Sequence, residues 1–529
     1  MKLNRLEKPI ERRVSPATIG PYICRIWIHL TKAASKASNK RVNSEGREMS
    51  VGPPLLKRIG IGLVVILSAT GPAIHAQTTE FDALQEAAAD PGAVDAQLQL
   101  GEILLYGNRG LPQDKDRGMA LISQAAAADH TAAQAVLGKV LLDGFYVEAD
   151  PERGVRLLRT AADKGNLLAE ETLGQALLWG VGTPADPGKA RDYLSLAAQK
   201  GSPDAMRTLG EQLISGRIME QDLATGVQLL ERAVDIGDAE AKVALGTLLF
   251  FGGDLPKDRP RATALFKDAA MAGNGEGLLH LGADMMWRQT DRKTAKALLI
   301  QSGELGTGAA WATLAEGAMF GYLGKDRRGQ FETFAEKARA AGEPRIAKLE
   351  ALRQLYGINM RASGPDAIDM LEQASEDGNP EAAKFLIQLV RDGNRLNVRK
   401  SPKQAAKYLE RYSHLLDEAD RERLEFTLKL AGTRRSALYD EFLAEFKSRP
   451  DLKSTDFGMD IFASNPNFAI FVLQSRFKQQ GKAVGPLDGY AGPRTLKALW
   501  NACRTLPDTE PCQDTVMQPR VIGALLAQR

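Results

Sequence analysis

A small residue, usually following Leu, returns at Gly101, Gly138, Gly174, Gly210, Gly246, Gly282, Ala315 and Ala351, and Ile387 fills a ninth slot. The steps are 37, 36, 36, 36, 36, 33, 36 and 36 residues. Six residues later a second glycine follows, at Gly107, Gly144, Gly180, Gly216, Gly252, Gly321, Gly357 and Gly393, and Arg288 breaks that series. A fixed period of this length is the mark of stacked supersecondary units, each unable to bury its own apolar face without its neighbours. It excludes a single sandwich, barrel or doubly wound sheet over this stretch.

Within each unit the grammar is constant. A segment such as Ala133-Ala-Gln-Ala-Val-Leu-Gly-Lys-Val-Leu-Leu142 has apolar residues at the spacing of an amphipathic helix. The second glycine sits where a helix ends in a left-handed residue. After a short loop an Asp or Ser follows, at 116, 150, 186, 222, 258, 291, 326, 363 and 401. These residues suit the N-cap of a second helix, and Pro151, Pro187 and Pro402 stand just after them, where proline is tolerated. A small residue comes next in most units: Ala120, Gly154, Ala190, Gly226, Ala262, Ala295, Ala367 and Ala405. The second helix closes at Gly165, Gly201, Gly237, Gly273, Gly306, Gly342 or Gly378. The expected fold is all-α: an α-solenoid of about nine helix–turn–helix units, followed by a small C-terminal three-helix domain. The high Ala and Gly content then reflects close helix packing.

The pattern Ala-x-x-Leu-Gly-x-x-Leu-x-x-Gly, then Asp-x-x-Lys-Ala, then Ala-Ala-x-x-Gly resembles the Sel1-like repeat, a relative of the tetratricopeptide repeat. Thr172 to Gly201 fits it almost throughout, and the resemblance covers residues 94–414. It implies protein–protein scaffolding and no catalysis. Unit six departs from the pattern. Its loop is shorter, and it carries Met285, Met286, Trp287 and Arg288. Met285, Trp287 and Arg288 are therefore candidate partner-binding residues, since such side chains adapt to partners. The alternative is that Met286 and Trp287 fill core left by the short loop. Residues 415–466 are expected to form capping helices and a linker, the linker proper spanning 450–467.

The amino end reads as an export signal. Lys57 and Arg58 precede an apolar run from Ile59 to Ala69, too short to span a bilayer comfortably, and Ala76-Gln77 offers a cleavage point. An uncleaved anchor helix is the alternative. Residues 49–76 are assigned to the signal and 77–93 to a lead-in. Residues 1–48 read as a mis-assigned start or a disordered extension. The whole chain has a formal charge of +3, but residues 1–76 hold 13 basic and 4 acidic side chains, which leaves −6 for residues 77–529. Neither balance points to nucleic acid.

Beyond 467 the period disappears. Ile470 to Gln480 is a short amphipathic helix closed by Gly481, Asp488-Gly489 marks a tight turn, and Gly492-Pro493 starts another helix. Leu473-Gln474, Gly481, Asp488-Gly489-Tyr490-x-Gly492, Thr495 and Ala498-Leu499 together resemble the three-helix, type-1 peptidoglycan-binding domain, here assigned to 467–529. Trp500-Asn501 stands where that family has Phe-Gln. The resemblance implies a shallow groove for a glycan-peptide, with Gln474, Asp488, Gly489, Tyr490 and Thr495 as candidate contacts. Cys503 and Cys512 are the only cysteines after residue 76 and would pair in an exported protein, a short loop closure worth roughly 3 kcal/mol.

No nucleophile motif, phosphate loop or metal-binding array is present, and His130, His280 and His414 are scattered. No cofactor and no metal are expected. The expectation is a non-catalytic periplasmic scaffold. Envelope proteins would bind its repeats and peptidoglycan its C-terminal domain, in exopolysaccharide secretion or envelope localisation. No membrane span would remain once the signal is cleaved after about Ala76. The alternatives are a regulator of a sensor kinase controlling exopolysaccharide production and an accessory protein of a cell-wall hydrolase.

Overall fold

A computed structural model describes residues 81–107, 113–252, 255–324, 329–433, 436–449, 454–506, 512 and 515–528. The signal, the extension before it and Asp326 lie outside these. The described residues contain helices and turns and no strand. The first pairs are α1 (Val94–Tyr106) with α2 (Lys115–Ala127), α3 (Thr131–Asp143) with α4 (Pro151–Asp163), and α5 (Leu167–Trp179) with α6 (Pro187–Gln199). Next come α7 (Pro203–Ser215) with α8 (Leu223–Asp235), α9 (Ala239–Phe251) with α10 (Arg259–Met271), and α11 (Gly275–Arg288) with α12 (Arg292–Glu304). The last are α13 (Gly308–Met319) with α14 (Gln330–Ala340), α15 (Arg345–Tyr356) with α16 (Gly364–Glu376), and α17 (Pro380–Asp392) with α18 (Pro402–Tyr412).

Helix boundaries follow the punctuation in the sequence. Gly144 ends α3 at φ 66°, where a side chain would be strained, and its amide bonds the Val140 carbonyl. Where Arg288 replaces the glycine, α11 runs one residue longer and Gln289 takes the left-handed conformation at φ 55°. Asp150, Asp186, Asp222, Asp258 and Asp291 each accept a backbone amide from the first turn of the following helix. In unit one the cap is Asp114, which accepts the Arg117 amide at 3.1 Å, and Asp116 lies inside the helix. The Lys189 amide holds the Asp186 carboxyl below the usual carboxylate range, so this cap weakens as pH falls through that lowered value.

The small residues mark where paired helices cross. A Cβ built on Gly210 would lie 2.9 Å from the Gly226 carbonyl oxygen and 3.0 Å from Leu230 Cγ. One on Gly226 would lie 2.8 Å from the Gly210 oxygen. Gly138 and Gly154 oppose each other in the same way, and Gly118, rather than Ala120, opposes Gly101. Gly210→Leu is expected to destabilise the protein by about 1–3 kcal/mol through overpacking. Chemical denaturation should show this against Gly188→Ala, whose added Cβ meets only the Asp186 carboxylate, at 3.5 Å.

The period also sets the bonds between units. Lys164 pairs with Asp129, Lys200 donates to the Gly165 carbonyl, Asn379 to that of Pro344, and Lys384 to Asp420, each one repeat apart.

The chain forms two compact bodies divided within α9, between Leu245 and Gly246. In the first, a lead-in helix at 81–88 sets Ala88 against Leu100 and Leu104. The second body holds the later repeats and the carboxyl end. After α18 come α19 (Glu418–Gly432), α20 (Tyr439–Lys447), α21 (Thr455–Ser464), α22 (Pro466–Gln479), α23 (Pro493–Cys503) and α24 (Pro519–Ala527). The stretch expected as a linker therefore contains α21 and the start of α22. Phe457, Ile461 and Phe462 of α21 are buried in one core with Phe426, Tyr439, Phe468, Leu499 and Leu526. Two polar residues of that stretch are N-caps: Ser454 accepts the Phe457 amide and Asn465 that of Phe468. The expected three helices, α22 to α24, thus share a core with α19 to α21.

Candidate functional site

At the carboxyl end, Gln474 sits on α22 with 1% of its surface exposed. Its Nε2 donates to Asp488 Oδ1 at 3.1 Å, the Tyr490 carbonyl at 2.9 Å and Thr495 Oγ1 at 3.2 Å, and its Oε1 accepts the Gly489 amide at 2.8 Å. Thr495, also 1% exposed, donates to the Val484 carbonyl at 2.7 Å. Gly489 has φ 79°, and a Cβ there would fall 2.4 Å from the Asn467 oxygen. The amide of Tyr490 and the Gln474 side chain hold the Asp488 carboxyl below its usual range. The five candidate contacts thus converge, but their exposures differ. Gln474, Gly489 and Thr495 are interior and shape the turn, Asp488 is half-buried, and Tyr490 is 66% exposed. Leu496 and Trp500, one turn apart on α23, are also exposed. Helical spacing could have singled out that pair. Cys503 and Cys512 form a disulfide, with Cα atoms 6.0 Å apart, beyond the end of α23.

In unit six, Met286 is fully buried, and a Cβ on Gly317 would lie 2.4 Å from its sulfur. Met285 and Trp287 are half-buried against the core. Arg288 is exposed, 3.5 Å from Asp284. Met286 thus serves the core, while Arg288 faces outward.

Several first helices carry charged residues on one face. Positions three before and one after the small residue lie a turn apart on it. In the first body this face carries Glu102, Lys139, Glu171, Arg207 and Glu211. Burial pushes the carboxyls of Glu102, Glu171 and Glu211 up; the Ser202 hydroxyl partly offsets this at Glu171, and Arg207 does so at Glu211. In the second body the corresponding residues are Glu316, Lys348 and Lys384. A hollow beside the α15–α16 turn is lined by Gln354, Met360, Arg361 and Asp366, and Gln354 Nε2 spans it to Asp366 at 3.0 Å. Among the described residues no group of three or more His, Cys, Asp or Glu could hold a metal ion. None of their helices is long and apolar enough to cross a membrane.

A stacked array of helix pairs defines an α-solenoid repeat. Segments 94–130, 131–166, 169–202, 203–238, 239–274 and 391–411 match the Sel1 repeat family model. The chain carries Sel1 repeats, and such repeats are protein-interaction scaffolds. Residues 275–390, outside the matched segments, keep the two-helix arrangement. Among solved structures, c5321, a protective antigen of uropathogenic Escherichia coli with an SLR fold, is 19% identical. The match covers 84% of this chain and 90% of that one, with a TM-score of 0.42. A Sel1 repeat protein from Oxalobacter formigenes is 22% identical over 46% of this chain and 99% of its own, with a TM-score of 0.41. Yeast Tom70 is 13% identical over 79% and 96%, with a TM-score of 0.39. These scores are low, so the fold rests on the helices themselves and on the repeat match. A search of curated proteins gave no match.

Proposed function

We propose that this protein is a non-catalytic scaffold of the bacterial periplasm, exported by the signal at 49–76. Its repeats would bind envelope proteins, and its carboxyl-terminal domain would tether them to peptidoglycan, in exopolysaccharide secretion or envelope localisation. The observation that carries the tether is the Gln474-centred network. It fixes the 485–492 turn from inside and leaves Tyr490 outward, with Leu496 and Trp500 also exposed on the following helix. Exposed aromatic rings on a rigid turn suit the apolar faces of sugar rings, and the disulfide suits an oxidising compartment. Full-length protein is expected to sediment with purified sacculi, and Tyr490→Ala together with Trp500→Ala to leave it in the supernatant. Failure of the unaltered protein to sediment would sink the tether.

A further inference from the structure

Helices α13, α15 and α17 bring two unmatched charges of opposite sign onto one face of the second body. Other charges there are matched. Arg345 donates to Thr313 Oγ1 at 3.2 Å and lies 3.6 Å from Glu343, and Lys384 holds Asp420 at 2.7 Å. Glu316 and Lys348 are different. Glu316 is only 7% exposed and Lys348 is partly buried. Among the described residues, neither has a hydrogen-bond or ion-pair partner. Lys348 Nζ rests 5.2 Å from the centroid of the Phe385 ring. Among the charges around them, Lys348 feels the Glu381 carboxylate first and Glu316 last, and Glu316 feels Arg345 more than Lys348, yet none of these closes into an ion pair. Burial pushes the Glu316 carboxyl up and the Lys348 ammonium down, so each charge is incompletely compensated.

A partly desolvated charge without a bonded partner gains from acquiring one. A ligand compensates both charges most fully when it presents an anion to Lys348 and a cation to Glu316. The face spans neighbouring helices and includes the Phe385 ring, which gives a chain of several residues something to lie against. A free amino acid would reach only part of it. We propose that this face binds a peptide segment of a partner protein bearing an acidic and a basic side chain close together, the acid on Lys348 and the base on Glu316. This rests on the scaffold reading and specifies the chemistry of the partner.

The test uses the full-length protein against a displayed random dodecapeptide library. Unaltered protein is expected to enrich peptides with an acidic–basic pair, and neutralising either charge in a selected peptide to weaken binding at least tenfold. Lys348→Glu is expected to reverse the preference for an acid. Glu316→Gln is expected to relax the preference for a base. No enrichment, the same enrichment in both variants, or equally tight binding of free glutamate or lysine would overturn the proposal. Lys348→Met and Glu316→Gln are expected to melt at or above the unaltered temperature, and a clear drop would make the pair structural and overturn it as well. Crosslinking separates the two readings. A captured envelope protein whose binding ignores both substitutions leaves the scaffold standing and removes this site, whereas no captured protein removes the scaffold.

Discussion

Arg391→Met is expected to destabilise the second body by about 3–5 kcal/mol, the cost of removing one partner from a buried ion cluster. Arg391 lies on α17 with none of its surface exposed. Its guanidinium donates to Asp392 at 2.7 and 2.9 Å, to Asp460 on α21 at 2.5 and 3.2 Å, and to the Thr427 hydroxyl on α19. Burial alone would lower the pKa of Arg391, but Asp460 and Asp392 outweigh it and hold the group above its ordinary value. Methionine keeps much of the volume and leaves two buried carboxylates without their cation. Burial already holds the Asp392 carboxyl above its ordinary value against the pull of Arg391, and loss of the guanidinium raises it further. The deficit is therefore full above that raised value and shrinks as pH falls through it. Thermal melts at pH 7.5 and pH 5 should show a smaller gap from the unaltered protein at pH 5. Hydrogen exchange should report opening in α17, α19 and α21. An equal gap at both pH values would mean that lost packing, not stranded charge, is the cause.

Phe426→Ala is expected to cost about 3–5 kcal/mol, the usual range for emptying a large buried aromatic site. Phe426 is 2% exposed, and its ring centroid lies 5.8 Å from that of Phe457, 6.1 Å from Phe468, and 6.4 Å from both Phe442 and Phe446. It is the ring where α19, α20, α21 and α22 meet, so the cavity opens to all four helices. Phe426→Leu should cost clearly less. Chemical denaturation, together with hydrogen exchange in α21 and α22, would measure both. A loss confined to α19 would show that α19 is only a cap and not part of the terminal core.

These two expectations lie where the sequence was least informative. Asp417 to Arg423 reads as a charged outer cap, and the linker expected over 450–467 reads as polar punctuation. Arg391 carries no mark that separates it from any surface cation near a helix end. Its partner Asp460 is 69 residues away, about twice the repeat period, and lies in a stretch without periodicity. By contrast, the repeat accounts for pairs such as Lys164 with Asp129 and Lys200 with the Gly165 carbonyl, because a repeated unit meets its copy at the same positions. The candidate contacts at Gln474, Asp488, Gly489, Tyr490 and Thr495 were legible as a group, but their division into interior and exposed residues was not. Residue type tells what a side chain can bond, and only packing tells whether the bond is used internally.

The spacing of small residues, glycines and caps determined the helices, their pairing and their stacking, since these are local requirements of backbone angle, helix-end hydrogen bonding and close approach. The tertiary structure alone decided which charges are buried and which remain unmatched. It left Glu316 and Lys348 without partners while Arg391 is saturated, and it drew α19 to α21 into the terminal core. Burial and pairing depend on residues far apart in the chain, and a period of 36 carries no information about them once the repeats end.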